Sequence, residues 1–106
     1  MPALKRHPLV RADLQSAYDW HEDKLPGLGG EFREDFFHAC RKLGQSPLLY
    51  AVRFANVRCL NLDRFPYGIF YIVRPDELRV LAVLHASRDT EYILAERRRT
   101  FSALQF

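Results

Sequence analysis

At 106 residues and a formal net charge of +3, the chain has room for one hydrophobic core and not for two. Its apolar share of 48%, with eight Phe, five Tyr and one Trp, fills that core without help from metals or disulfides. No window approaches the ~20 apolar residues of a membrane span, and the opening Met1-Pro2-Ala3-Leu4-Lys5-Arg6-His7-Pro8 lacks a signal peptide's apolar centre. A cytoplasmic location is therefore expected, with no membrane partner.

A short strand is predicted around Ala3–His7, followed by a helix from about Leu9 to Leu25. Val10, Leu14, Ala17, Tyr18, His21 and Leu25 recur there at helical spacing on one face. Pro26-Gly27 ends this helix and Gly29-Gly30 lets the chain reverse. A second helix runs from about Leu28 to Gly44. Phe32, Phe36, Ala39, Cys40 and Leu43 form its stripe, and Glu31, Glu34 and Asp35 sit where the helix dipole favours anions. The short connection makes the two an antiparallel hairpin.

Beyond Gln45-Ser46-Pro47 the pattern turns to sheet. Val57–Arg64 reads as a strand, Phe65-Pro66-Tyr67-Gly68 as a bend, and Ile69–Val73 as a covered strand. Arg74-Pro75-Asp76-Glu77 has the residues of a tight turn, and Leu78–Leu84 pairs back. Thr90 to about Arg99 is helical, while the tail from Thr100, with Phe101, Leu104 and Phe106, either docks on the sheet or awaits a partner. The expected fold is α+β over residues 1–106: β-α-α-β-β-β, an antiparallel sheet against a helical hairpin, and a short C-terminal helix.

Cys40 falls on a helix stripe and Cys59 within a strand. They have no CxxC spacing and no matching His/Cys cluster, so they read as structural thiols and no metal is expected. Charge is distributed unevenly. Residues 1–50 balance seven Lys/Arg against seven Asp/Glu, whereas residues 51–106 carry nine basic residues against six acidic ones. All nine are arginine, whose planar fork suits phosphate or carboxylate. A nucleic acid and an acidic protein segment both fit, and charge alone does not choose.

Val57-Arg58-Cys59-Leu60 followed by Arg64-Phe65-Pro66-Tyr67-Gly68-Ile69-Phe70-Tyr71 resembles the central signature of ParE-type toxins, members of the RelE/ParE superfamily that includes plasmid stabilization toxins. Arg11-Ala12-Asp13-Leu14 and Tyr18-Asp19-Trp20 are similar to that family's helix opening. Val80 to Asp89, with His85-Ala86-Ser87-Arg88-Asp89, is similar to its last strand and His-x-x-Arg-Asp ending. The resemblance implies a RelE-like fold and the toxin of a type II toxin–antitoxin pair, neutralised by an antitoxin segment laid in the groove between hairpin and sheet. It implies no cofactor. ParE-type members act on DNA gyrase and RelE-type members cut mRNA on the ribosome, so the fold leaves the activity open.

A metal-free ribonuclease needs a base, an acid and a cation for the phosphorane. The candidates are Arg58, His85, Arg88 and Tyr92, the last two at a spacing that resembles some RelE-type enzymes. Arg58 and Arg64, six apart, share a face if their strand is regular. The plainer roles are a hydrogen-bonded structural His85, an Arg58 paired with Asp63, Asp89 or an antitoxin carboxylate, and a Tyr92 anchoring its helix. Relative to the RelE pattern, the stretch before Arg58 holds Arg53 but no Lys or Glu, and Ser87 stands where a further Arg is common. The balance favours a non-enzymatic gyrase inhibitor over a ribosome-dependent ribonuclease, with an inactive, partner-only homologue as the third reading. Arg58, Arg64, Arg88, Arg97, Arg98 and Phe101 are then the expected contacts for antitoxin or target.

Overall fold

The computed structural model describes residues 3–103, with side chains as far as Phe101. Strand β1 (Ala3–Arg6) leads into helices α1 (Val10–Lys24) and α2 (Leu28–Gln45). Strands β2 (Val52–Phe54), β3 (Val57–Asn61), β4 (Tyr67–Val73) and β5 (Glu77–His85) follow, and helix α3 (Thr90–Ala103) closes the order. Thr100 and Phe101 thus belong to the last helix, while Leu104 and Phe106 lie outside the described residues.

The α+β architecture is as expected, and three details differ. β2 has no counterpart in the sequence reading. Its hairpin with β3 turns through Ala55 at φ 50°, a left-handed conformation usually signalled by Gly, Asn or Asp. The sheet, ordered β1-β5-β4-β3-β2, is mixed rather than antiparallel, because β1 runs parallel to β5. A hydrophobic pattern fixes which face of a strand is buried but not its neighbour or direction. Finally, β3 ends at Asn61, so Arg64 lies in the loop and does not share a strand face with Arg58.

The helices enter by borrowed caps. Leu9 offers no capping side chain, and the His7 ring accepts the Leu9 N–H at its Nδ1 instead (3.1 Å). Gly27, at φ 93°, starts α2, and Glu22 of α1 accepts the N–H groups of Gly27 and Gly29 at 2.9 and 3.0 Å. These are among the amides that a helix start leaves unpaired. A Cβ on Gly29 would meet the Tyr18 carbonyl oxygen at 2.8 Å, so glycine sets how closely α1 and α2 approach.

The sheet is covered on both faces. The hairpin packs Phe32, Phe36 and Leu43 onto Leu60, Ile69, Tyr71 and Val83. On the opposite face Leu94 and Phe101 of α3 close over Val57, Phe70, Ile72 and Leu81. A bulge in β5 links the two. Phe70 pairs with Ala82 but Tyr71 with Val80, leaving Leu81 as the extra residue. Two neighbours, Leu81 and Ala82, therefore both face α3, and the alternation beyond them is inverted. That inversion sends Val83 and His85 toward the hairpin.

One ion pair joins the layers at this point. β1 accompanies β5 only as far as Val80, so on that side Leu81 and Val83 have no strand beside them, although β4 still pairs on the other. Asp13 of α1 accepts the Val83 N–H (3.0 Å), and Arg97 of α3 donates to the Leu81 carbonyl (2.8 Å). Asp13 and Arg97 meet in a two-pronged contact at 2.9 Å, each side chain 11% exposed. Among the described residues no helix is long and apolar enough to cross a membrane.

Candidate functional site

Because the bulge turns His85 toward the hairpin, the open end of the sheet forms a groove with α1. Its volume is about 350 Å³, and Ser16, Trp20, Tyr67, His85, Ser87 and Arg88 line it beside Asp13. Trp20 is 56% exposed, an unusual position for an indole on a helix packed against a sheet. Tyr67 stands edge-on to His85 at 5.1 Å between ring centroids. Burial pushes its phenol above the ordinary tyrosine range, against a weaker opposing pull from the Arg88 guanidinium.

His85 is held in one tautomer. Its Nδ1 accepts the Ser87 N–H at 3.0 Å and lies 2.8 Å from the Ser87 hydroxyl. A backbone N–H can only donate, so Nδ1 is the unprotonated nitrogen and Nε2 carries the hydrogen. The one basic lone pair of the ring is thus already engaged by its own neighbour.

The sequence candidates disperse. His85 and Arg88 share the groove, and Arg88 makes no side-chain hydrogen bond or ion pair among the described residues. Arg58 stands opposite Tyr71 on β4 and His85 opposite Tyr67, four residues or roughly 13 Å along the strand. Arg58 pairs with neither Asp63 nor Asp89. Its Nη1 donates to the carbonyls of Leu48 (3.3 Å) and Tyr50 (2.7 Å), while the Tyr71 hydroxyl donates to Pro47 (2.5 Å), so both residues pin the segment after α2. Tyr92 is 72% exposed on α3 rather than an apolar anchor; Leu94 takes that part.

Of the expected contact residues, Arg64 pairs with Glu31 at 2.6 Å and Arg98 donates to Asn56 at 2.8 Å, both at the surface. Arg97 is buried in the Asp13 pair, and Phe101 is 4% exposed in the core under α3. Neither reaches a partner without unfolding that layer. Among the described residues no cluster of His, Cys, Asp or Glu has the form of a metal site. Burial pushes the Cys40 thiol up to about 11 and raises Cys59 as well, which keeps both protonated.

The sequence reading assigned His21 only to an apolar stripe. It is 7% exposed, wedged against Phe65 (4.9 Å) and Phe32 (5.6 Å), with a buried Nε2 that finds no hydrogen-bond partner among the described residues. Burial first, and the nearby His85 second, lower its affinity for a proton. Burial likewise lowers His7, with Arg97 adding to the effect. The sign follows directly. The unfolded chain takes up protons below its ordinary histidine value of about 6.5 while the folded chain does not, so stability falls as pH drops through that value. The melting temperature should fall between pH 7.5 and 5.5, and His21→Phe should flatten the fall by a few degrees. An unchanged pH dependence in His21→Phe would remove His21 as a source.

A second concavity of about 380 Å³ lies between α1 and α2, near β1. Leu14, Tyr18, Phe32, Phe36 and Phe37 line it, and Arg6, Arg11 and Arg33 stand around them. Phe37 is 47% exposed and Arg33 lies over the Tyr18 ring at 5.5 Å. An apolar trough edged by three guanidinium groups suits an amphipathic segment with acidic flanks. The sequence reading missed it because these arginines belong to the half of the chain whose charge balances.

Residues 4–90 match the family described as the ParE toxin of the type II toxin-antitoxin system, parDE. Among solved structures, the chain is similar to one described as a chromosomal ParDE TA system from P. aeruginosa. The TM-score is 0.73 and the identity 24%, over 82% of this chain and 98% of that one. At that identity the likeness speaks for the fold. No curated protein sequence matches. With a family match over most of its length on a fold of the same topology, the chain belongs to the ParE toxin family of type II toxin–antitoxin systems.

Proposed function

We propose that this chain arrests growth by binding its target rather than by cutting RNA, that DNA gyrase in the cytoplasm is the target, and that a cognate antitoxin neutralises it. The observation that carries the reading is His85, whose only basic nitrogen is engaged by Ser87. A general base must have a free lone pair within reach of the 2′-hydroxyl. The separation of Arg58 from the groove adds to this, since cleavage needs its groups around one phosphate. Ser87 is also the residue at which the sequence departs from the RelE pattern, and its hydroxyl adds a second contact to the nitrogen that its backbone N–H engages.

The antitoxin is proposed to lay an acidic, amphipathic segment in the trough between α1 and α2, where Arg6, Arg11 and Arg33 surround Phe36 and Phe37. The groove with Trp20, His85 and Arg88 is left for the target or a second part of the antitoxin. One observation favours a ribonuclease instead. Arg88 there makes no side-chain hydrogen bond or ion pair among the described residues, and Trp20 and Tyr67 offer rings on which bases could stack.

Mapping mRNA 5′ ends minutes after induction without antitoxin separates the two. The expected result is growth arrest with messages intact, together with inhibition of gyrase supercoiling by the purified chain. New ends inside codons before growth slows would establish a ribonuclease. Absence of arrest would leave a partner-only protein.

A further inference from the structure

Strand β5 presents an incomplete edge to the groove beside α1. In an antiparallel ladder successive residues turn their backbone groups to opposite sides. Val83 gives its N–H to Asp13 rather than to β4, so Val83 and His85 both point into the track that β1 leaves empty after Val80. Each keeps one group unused. The His85 carbonyl accepts the Arg88 N–H (3.0 Å), while the Val83 carbonyl and the His85 N–H make no hydrogen bond among the described residues. Val83 is 2% exposed, which leaves little water for its carbonyl, and an unmet polar group in that setting is costly.

These two groups fit one kind of ligand. In a strand parallel to β5, a single residue opposite Leu84 donates its N–H to the Val83 carbonyl and accepts the His85 N–H. Such a strand runs on the line of β1, which is itself parallel to β5. An antiparallel strand would spread the two bonds over two residues and leave one group of each unpaired. One of those would be a carbonyl facing the Asp13 carboxylate, where the Val83 N–H is already taken.

The flanks of the slot specify side chains. Leu84 faces α3 and Val83 the hairpin, so the ligand residue after the bonded one, opposite His85, turns toward Tyr67 and Trp20. Trp20 is exposed yet braced, with the Lys24 ammonium over its ring at 4.7 Å and His21 edge-on at 5.0 Å. An indole held in place beforehand loses little freedom on binding. The ligand residue after that lies toward Arg88, which makes no side-chain hydrogen bond or ion pair among the described residues, so a carboxylate there meets a cation.

We propose that this slot receives an exposed, extended segment of the folded target protein as a short parallel strand, with an apolar residue on Trp20 and a carboxylate at Arg88. The inference rests on the reading that the chain acts by binding a target. Two backbone bonds and one indole make a small contact, and a disordered segment would lose much of the gain in becoming ordered. A strand end or loop already fixed by its own fold would not. The larger apolar surface, which a segment that folds on binding requires, lies in the trough assigned to the antitoxin.

The probe is the blocked tripeptide acetyl-Val-Leu-Asp-amide, titrated into the isotope-labelled full chain and followed by amide NMR. The His85 amide proton should move downfield as the peptide binds. Methylating the nitrogen of the peptide's valine should weaken binding about tenfold, since the bond to a poorly hydrated carbonyl is lost. The reversed tripeptide on the parent chain, and the original one on Arg88→Gln, should each bind about fivefold more weakly or worse. In cells without antitoxin, Trp20→Ala with Arg88→Gln should relieve growth arrest, while affinity for the cognate antitoxin changes less than about threefold. Trp20→Phe with Arg88→Lys should keep part of the arrest, which excludes unfolding as the cause. A motionless His85 amide, or equal binding of the methylated peptide, would overturn the slot even where the parent arrests growth. Lost antitoxin affinity with arrest retained would overturn the target as occupant in favour of the antitoxin. Peptide binding by a parent that arrests no growth would also remove the target, and with it the reading of this chain as an inhibitor.

Discussion

Asp13→Ala should destabilise the chain by about 3–5 kcal/mol, lowering its melting temperature by about 12 °C or more. Both members of the Asp13–Arg97 pair are 11% exposed, so removing the carboxylate leaves a guanidinium in low dielectric without a counterion. The loss goes beyond the pair. Asp13 also satisfies the Val83 N–H, and Arg97 the Leu81 carbonyl, on a stretch of β5 that has lost its neighbour on the β1 side. The two side chains stand in for the strand that β1 is too short to provide. Arg97→Ala should cost about as much, because it strands the carboxylate instead. Asp13→Leu with Arg97→Met should recover a large part of the loss, since an apolar pair carries no desolvation penalty, though both β5 groups stay unpaired. Thermal melts of the four proteins at pH 7 read this out. A shift under about 4 °C for Asp13→Ala would show that the pair is solvated and that α3 is held by Phe101 and Leu94 alone.

That pair also marks where sequence reasoning stopped. Asp13 was visible only as part of a helix opening, and Arg97 only as one of three consecutive arginines offered to a partner. Eighty-four residues separate them, and no local pattern connects such positions. The hairpin, by contrast, was legible because Phe32, Phe36 and Leu43 repeat at helical spacing and Pro26-Gly27 can only end a helix. The covered strand β4 was legible from its unbroken apolar run. β2 was not, since Ala55 carries no sign of its positive φ. His85 and Arg88 were identified and do share a groove, but their orientation comes from the bulge at Leu81. Nothing in Val80-Leu81-Ala82-Val83 distinguishes a bulged strand from a regular one. The trough between α1 and α2 escaped notice because a charge count over fifty residues averages away three arginines that the fold gathers around Phe37.

Asp35→Ala should cost about 2–4 kcal/mol and change the groove at a distance. Asp35 was expected to complement the dipole at the start of α2, yet its side chain is buried, and one oxygen accepts the N–H groups of both Arg64 (2.9 Å) and Phe65 (3.1 Å). It thereby fixes the bend whose Phe-Pro-Tyr sequence opens β4. Phe65 and Tyr67 leave that bend to stand edge-on to the His21 ring, and Tyr67 continues into contact with His85. Without the carboxylate two amides lose their acceptor, the Phe65 N–H in a buried setting, and the bend is free to shift. Asp35→Asn retains one acceptor oxygen and should cost about half as much, because the loss is then of charge rather than of both bonds. The discriminating measurement is the near-ultraviolet circular dichroism of the aromatic cluster, taken well below each variant's melting temperature. Asp35→Ala should alter that spectrum in the folded state, since the packing of Phe65 and Tyr67 on His21 depends on the bend. A parental spectrum beside a lowered melting temperature would mean that the rings hold the bend, and that Asp35 contributes stability without shaping the groove.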